Sequence, residues 1–374
     1  MPNPNAIVST VTRIEPALDR PAAELLRAER GLSVELLDGR RLRLDPGDPR
    51  SAGFAQILDA ISKQRLPVYL EIDPATSAIA RLLIPYVARV VNVRTAGDGL
   101  EVELEPSQAR HMLRRGSPDF AEFETQLREA MRSAGPVILT DDDTHNIIDV
   151  RSFMPGPDGP LPPFPKPELL KLPWPLELLI RVWRWPWWPW WWWYCLRCMS
   201  ATRAQQVFDA MSATSCAPLT VPAPCIPFLY PDDGCWARAH EMCRLMINMG
   251  LSPRKVWIDK STILHVNTKN NPNCFVEWYW HVAPTLCVRG PYFFQTQEMV
   301  IDPSLFTTPV SKATWKGVQN DPGATLTDTD ASQYAHGGGT DPTYSDTNFY
   351  LNKYRLALQA RAVQVGAPPY AFCP

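Results

Sequence analysis

What this sequence does without narrows its function before any motif is considered. It has no charge imbalance: 37 Lys and Arg stand against 39 Asp and Glu, a formal net charge of −2. Nothing global therefore draws it to nucleic acid or to a strongly anionic partner. The opening Met1-Pro2-Asn3-Pro4-Asn5 is not a basic n-region leading into an apolar h-region. We therefore expect no cleavable signal, and synthesis into a reducing compartment or export by a signal-independent route. No apolar run is free enough of charge and proline to read as a membrane-spanning helix. The C-x-x-C of Cys195 and Cys198 has no second pair and no ordered His pair to complete a zinc site, so neither metal nor cofactor is expected. No internal repeat is present.

What is there is unevenly spread. The 374 residues, 45% of them hydrophobic, suffice for two domains with sizeable cores. All nine Cys lie at or after Cys195. Setting one aside as a nucleophile leaves eight, but even parity arises by chance half the time, so their disulfide state stays open.

Three zones follow. Residues 1–150 read as a β-rich α+β accessory domain. Gly31 to Asp45 and Val87 to Glu105 alternate apolar and polar residues around Asp38-Gly39 and Asp98-Gly99, both hairpin turn signals. Between them, Phe54, Ile57, Leu58 and Ile61 sit at helical spacing, and Leu66 to Ile72 reads as a strand. Phe120, Phe123, Leu127 and Met131 predict an amphipathic helix behind Ser117-Pro118 as N-cap and first residue. Asp141-Asp142-Asp143 with His145 reads as a solvated turn rather than a metal cluster.

Residues 151–200 read as a linker, with eleven Pro from Pro155 to Pro189 that favour polyproline II. Nine of the 14 Trp lie between Trp174 and Trp193. Three readings of Trp185–Trp193 stay open. They are contact with a membrane surface, to which the rings and two Arg would suit the segment; a strap packed on the protein; and a plug in the active-site cleft. Arg184 to Trp193 resembles indolicidin-type Trp/Pro-rich peptides over about ten residues.

Residues 201–374 read as the catalytic domain. A helix is expected from Asp232/Asp233 to Met249, stopped by Gly250. Strands are expected at Lys255 to Ile258, Phe275 to Val288 and Met299 to Ile301. Asn348 to Val363 is too mixed to assign to helix or strand.

Acyl transfer from an amide needs a thiolate or other nucleophile, a base, a group to orient the base, and donors for the oxyanion. Cys235 sits where loop becomes helix, in Asp232-Asp233-Gly234-Cys235-Trp236. A helix N-terminus favours thiolate, and the backbone N–H groups of Cys235 and Trp236 suit an oxyanion. His281 lies on the aromatic strand Trp278-Tyr279-Trp280-His281-Val282, which fixes a ring well. Asp302 ends Val300-Ile301-Asp302-Pro303, where an acid can accept the imidazole N–H. Each residue alone is more often structural; the trio on suitable elements is the signal. His240, further along the helix, should point away and be structural.

The segments Asp233-Gly234-Cys235-Trp236-Ala237-Arg238-Ala239-His240, Tyr279-Trp280-His281-Val282-Ala283 and Ile301-Asp302-Pro303-Ser304-Leu305-Phe306 resemble the three active-site segments of bacterial protein-glutaminases, over about Asp232 to Trp315. The resemblance implies a papain- and transglutaminase-like fold. It implies Cys235 as nucleophile, His281 as acid/base and Asp302 as orienter. It also implies deamidation of exposed protein glutamine to glutamate with release of ammonia. Characterised members carry a secretion signal and a removable pro-region; this chain shows no signal, and its N-terminal domain and Trp-rich linker do not resemble those pro-regions. A transglutaminase or cysteine peptidase on the same core, and an inactive membrane- or protein-binding module, are the rival readings. The sequence is silent on the target protein, the oligomeric state, and whether the chain acts at home or is delivered as an effector.

Overall fold

The computed structural model describes residues 5–153, 198–220, 224–290 and 295–374. The Trp-rich run and most of the expected linker lie outside the described residues. Among the described residues no helix is long and apolar enough to cross a membrane.

The expected β-rich N-terminal region is present, as two five-stranded antiparallel sheets with separate cores. The first has the order β3-β2-β1-β4-β5, from β1 (Ala6–Glu15), β2 (Leu32–Leu36), β3 (Arg41–Leu44), β4 (Pro67–Ile72) and β5 (Ile79–Leu83). The helices α1 (Ala22–Ala28) and α2 (Ser51–Gln64) share its core. The four apolar positions that predicted α2, Phe54, Ile57, Leu58 and Ile61, are all fully buried. The second sheet has the order β10-β9-β6-β7-β8. It is built from β6 (Tyr86–Ala96), β7 (Gly99–Glu105), β8 (His111–Arg114), β9 (Pro136–Asp141) and β10 (Ile147–Ser152). Both turn signals join the strands expected of them. The helix α3 (Phe120–Ser133) buries Phe123 and Leu127 in this core. It starts after Asp119 rather than Ser117, whose carbonyl instead closes a turn onto the Phe120 N–H at 3.1 Å.

The C-terminal part packs helices on a third antiparallel sheet, β14-β13-β12-β11-β15. Its long central strands are β11 (Arg254–Asn267) and β12 (Phe275–Arg289), flanked by β13 (Thr296–Val300), β14 (Val310–Ser311) and β15 (Thr325–Asp330). The helices are α4 (Ala201–Ser212), α5 (Cys235–Asn248), α6 (Lys312–Gly317) and α7 (Ser345–Val365). A small hairpin of β16 (Gln333–Ala335) and β17 (Gly338–Thr340) sits before α7.

The segment too mixed to assign is the 21-residue helix α7. Its Leu356 and Ala360 pack into the first N-terminal sheet's core, while Tyr350, Leu351, Tyr354 and Leu358 pack around Cys235. A helix buried on opposite sides has no single apolar stripe, which is why its periodicity was unreadable.

Among the described residues three disulfides tie the C-terminal part: Cys198–Cys287, Cys216–Cys225 and Cys274–Cys373. Cys198 pairs across the fold to β12 rather than within the C-x-x-C. Two of the three close loops of 89 and 99 residues, lengths at which a crosslink removes much unfolded-chain entropy.

Arg361 ties the loop before α5 to α7 and reaches the half-buried Asp143 of the N-terminal region. Arg361 on α7 donates to both carboxylate oxygens of Asp232, at 2.7 and 2.8 Å, and to Asp143 at 2.7 Å. Asp232 is fully buried, and Arg361 holds its carboxyl below the usual range against the opposing effect of burial. Removing one partner of a buried pair leaves an uncompensated charge. Arg361→Met should therefore cost roughly 3–5 kcal/mol of unfolding free energy, read from denaturant midpoints. A change below about 1 kcal/mol, the worth of an exposed pair, would show that Asp232 is not left as an uncompensated buried charge.

Candidate active site

The nucleophile loop is built to present one backbone geometry. Gly234, at φ +80°, caps α5, and a Cβ there would lie 2.3 Å from the Tyr354 ring, so only glycine fits. Asp233 accepts from the Gly234 N–H at 2.9 Å and from the Tyr354 hydroxyl at 2.9 Å. Asp232 accepts from Asn271 at 2.6 Å as well as from Arg361. Both acids, expected to open the helix, instead lie in the loop before it and are fully buried struts for that loop.

Cys235 is the first residue of α5, a free thiol and 1% exposed. Its sulfur lies at the backbone N–H of Val282, the residue after His281. His281 Nε2 faces Asp302 Oδ2 at 2.9 Å. The imidazole ring lies stacked between Trp278 and Trp315, with centroids 4.5 and 5.4 Å away. The indole N–H of Trp315 donates to the same Asp302 oxygen at 2.9 Å, and the Ser304 N–H donates to the other at 3.2 Å. Burial works against ionised Asp302, yet His281 and these donors hold its carboxyl below the usual range. A carboxylate in this position fixes the tautomer with the proton on Nε2 and leaves Nδ1 as the basic nitrogen. The Nδ1 atom is buried without a hydrogen-bond partner. The three sequence-predicted residues thus converge, and Trp315, whose role no motif spacing disclosed, completes the Asp302 cradle.

The thiol itself departs from expectation. Burial pushes it well above the ordinary thiol value; Arg238 opposes this, and the Asp233 and Asp302 carboxylates add to it. Besides the core around α5, a feature absent from the sequence reading covers the site. The segment 107–110, between β7 and β8 of the second N-terminal sheet, is laid along β12. Because β12 pairs with β13 only over Thr285–Arg289, its edge at Glu277–Tyr279 is open to an added strand. Ala109 forms an antiparallel bridge with Trp278. The Tyr279 N–H donates to the Gln108 carbonyl at 2.9 Å, and the Arg110 N–H to the Glu277 carbonyl at 3.0 Å. The Gln108 N–H donates to Asp233 at 3.0 Å. The Gln108 side chain points into the site, and its Oε1 accepts from the Cys235 N–H at 2.9 Å. Gln108 is fully buried and its Nε2 has no partner.

His240 is removed from this chemistry. It bonds Lys255 Nζ at 2.9 Å, and burial with that neighbouring cation holds its pKa down to about 3. His111, Asp141 and His145 form a compact group whose candidate ligand atoms lie within 4.8 Å of one another. Both imidazoles bond Asp141 Oδ2 through Nδ1, at 2.9 and 2.6 Å, and His111 Nε2 takes the Ser107 hydroxyl at 3.0 Å. These contacts brace the 107–110 segment. The stretch read as a solvated turn is therefore partly built into the interface, with His145 buried and Asp143 bonded to Arg361.

The family model described as Glutaminase matches residues 204–319, the stretch that holds Cys235, His281 and Asp302. No curated protein matches the chain. Among solved structures, that of a pro-protein-glutaminase is 21% identical, covering 78% of this chain and 99% of that one, with a TM-score of 0.49. A crystal structure of protein-glutaminase is 27% identical, covering 48% and 98%, with a TM-score of 0.38. The solution structure of protein-glutaminase from Chryseobacterium proteolyticum is 27% identical, covering 40% and 84%, with a TM-score of 0.36. The matched stretch is less than half of the chain and contains the site described above.

Proposed function

We propose that this glutaminase segment is a cysteine amidohydrolase that deamidates protein-bound glutamine. One observation carries the reading: a glutamine side-chain carbonyl already rests on the Cys235 N–H at the mouth of α5. In this mechanism His281 Nδ1 takes the Cys235 thiol proton as the sulfur attacks the side-chain carbonyl carbon. The N–H groups of Cys235 and Trp236 hold the oxyanion. His281, protonated at Nδ1, hands its proton to the departing ammonia, then draws a proton from the water that hydrolyses the thioester. Asp302 keeps the ring in place through Nε2.

The same arrangement speaks against a peptidase. The main-chain carbonyl of Gln108 is engaged by the Tyr279 N–H, while the side-chain amide reaches Cys235. The open β12 edge recruits backbone by strand addition and the pocket reads one side chain. Substrates are accordingly extended, exposed glutamine segments of proteins. Free glutamine lacks the flanking backbone that the β12 edge would pair.

The test is ammonia release from a glutamine peptide blocked at both ends, from free glutamine, and from the peptide with a primary amine added. We expect the blocked peptide to have the higher kcat/KM, with glutamate as product whether or not amine is present. Amine incorporation in place of glutamate would convert the reading to a transglutaminase. Better use of free glutamine would overturn the strand-addition account.

A further inference from the structure

We propose that Gln108 is this enzyme's own substrate: Cys235 deamidates it to glutamate, and the new carboxylate expels the 107–110 segment from the active site. The proposal rests on the deamidase reading above and adds to it a modification site and its consequence.

The placement is that of a bound substrate rather than of a neutral filler. Gln108 is pinned by its backbone on both sides, through Asp233 and Tyr279, with its carbonyl oxygen on the Cys235 N–H. The amide nitrogen, which would leave, has no hydrogen bond to lose, and neither has His281 Nδ1, which would protonate it. A residue serving only as a strut would be expected to use its buried N–H groups, because an unpartnered buried donor costs about 1–3 kcal/mol. A cleft of about 260 Å³ is bounded by Ser107, Trp236 and Trp280, the chain neighbours of Gln108, Cys235 and His281, so solvent lies one residue away from each of the three reacting groups.

The chemistry balances with water alone. The Cys235 thiol gives its proton to His281 Nδ1 as its sulfur bonds the Gln108 carboxamide carbon, the carbon–nitrogen bond breaks, and ammonia leaves with that proton from His281. Water then attacks the thioester, returning the thiol and leaving a glutamate side chain at position 108, with ammonium as co-product.

The product does not suit the place its precursor held. The new carboxylate at position 108 would have one oxygen on the Cys235 N–H and the other where the unpartnered nitrogen was. It would lie beside Asp233, with Asp302 also near the sulfur. Arg238 acts on both the Cys235 sulfur and Asp302; its Nη1 goes to the Tyr230 and Asp233 carbonyls and its Nη2 is buried without a partner, so one guanidinium would have to serve a further carboxylate beside Asp233 and Asp302. Buried carboxylates with too little opposing charge are strongly unfavourable. Gln108 is therefore a lock that the enzyme opens once, by its own reaction, exposing Cys235 to other proteins.

The experiment incubates the full-length wild type and Cys235→Ala in H₂¹⁸O at neutral pH and maps residue 108 by peptide mass spectrometry. Full-length Gln108→Glu is assayed in parallel on a blocked glutamine peptide. In the wild type we expect glutamate at position 108 carrying one heavy oxygen, formed at a rate independent of protein concentration. In Cys235→Ala we expect unchanged Gln108. Gln108→Glu should turn over the peptide without the lag shown by the wild type. A wild type that deamidates the peptide while residue 108 stays glutamine overturns this inference and leaves the deamidase reading standing. So does conversion in Cys235→Ala, or conversion whose rate rises with concentration. A Gln108→Glu chain that starts no faster than the wild type overturns the release step. If neither Gln108 nor the peptide is deamidated by any form, the deamidase reading fails with it.

Discussion

Full-length Cys235→Ala should release ammonia from a blocked glutamine peptide at least about 10⁴-fold more slowly than wild type, with its fold intact. The loss follows from the place of the thiol. Cys235 Sγ lies at the Val282 N–H beside His281, and its own N–H holds an amide oxygen. Without the sulfur, the donors can still bind a substrate carbonyl but there is nothing to bond its carbon. Alanine is smaller than cysteine in a site that is 1% exposed, and its first helical turn keeps every backbone donor, so the thermal midpoint should move little. Cys235→Ser should be nearly as inactive, because a hydroxyl is far less acidic than a thiol. Ammonia release at wild-type rate by purified Cys235→Ala would remove Cys235 from the chemistry.

The second large effect belongs to the His281–Asp302 pair. His281→Ala removes both proton transfers and should cost about 10²–10⁴-fold in kcat, the usual contribution of a positioned acid or base. Asp302→Asn tests the orienting role separately. Asp302 Oδ2 accepts from both His281 Nε2 and the Trp315 indole. An amide that turned its nitrogen toward the imidazole would favour the opposite tautomer and place the proton on Nδ1, where the base must be free. We therefore expect a loss in kcat of roughly the same size, with KM little changed, because Asp302 touches no substrate. Trp315→Phe keeps the stacking and removes one donor, so its loss should be smaller. Equal activity of wild type, His281→Ala and Asp302→Asn would refute the triad.

That Cys235, His281 and Asp302 come together was legible because each stands on a local pattern: a Gly-capped helix start, an alternating aromatic strand, and a strand ended by Asp-Pro. What escaped the sequence is of two kinds. Gln108 lies about 130 positions before Cys235 and reaches it only because β12 has an open edge, so no local periodicity could disclose it. The helix α7 escaped because Lys353, Arg355, Gln359 and Arg361 are buried along with its apolar residues. Their partners, such as Asp232 and Asp143 for Arg361, come from distant segments. The expectation of a lowered thiol pKa considered only the helix N-terminus. The structure adds burial, by the core around α5 and by the 107–110 segment, and two nearby carboxylates, which together outweigh it. The disulfides were open in the sequence for a related reason: the six Cys paired among the described residues are brought together by the fold rather than by spacing.

The central claim is that amide cleavage passes through a thioester on Cys235. Partitioning with hydroxylamine tests it most directly. A thioester is attacked by hydroxylamine far more readily than a carboxamide, so the acyl group should divide between water and the added nucleophile after ammonia has left. With Gln108→Glu acting on a blocked glutamine peptide, we predict glutamyl hydroxamate rising with hydroxylamine at the expense of glutamate. Hydroxamate should be absent when Cys235 is also replaced by alanine. Glutamate as the sole product at every hydroxylamine concentration, with ammonia still released, would mean that water attacks the carboxamide directly and would contradict the account.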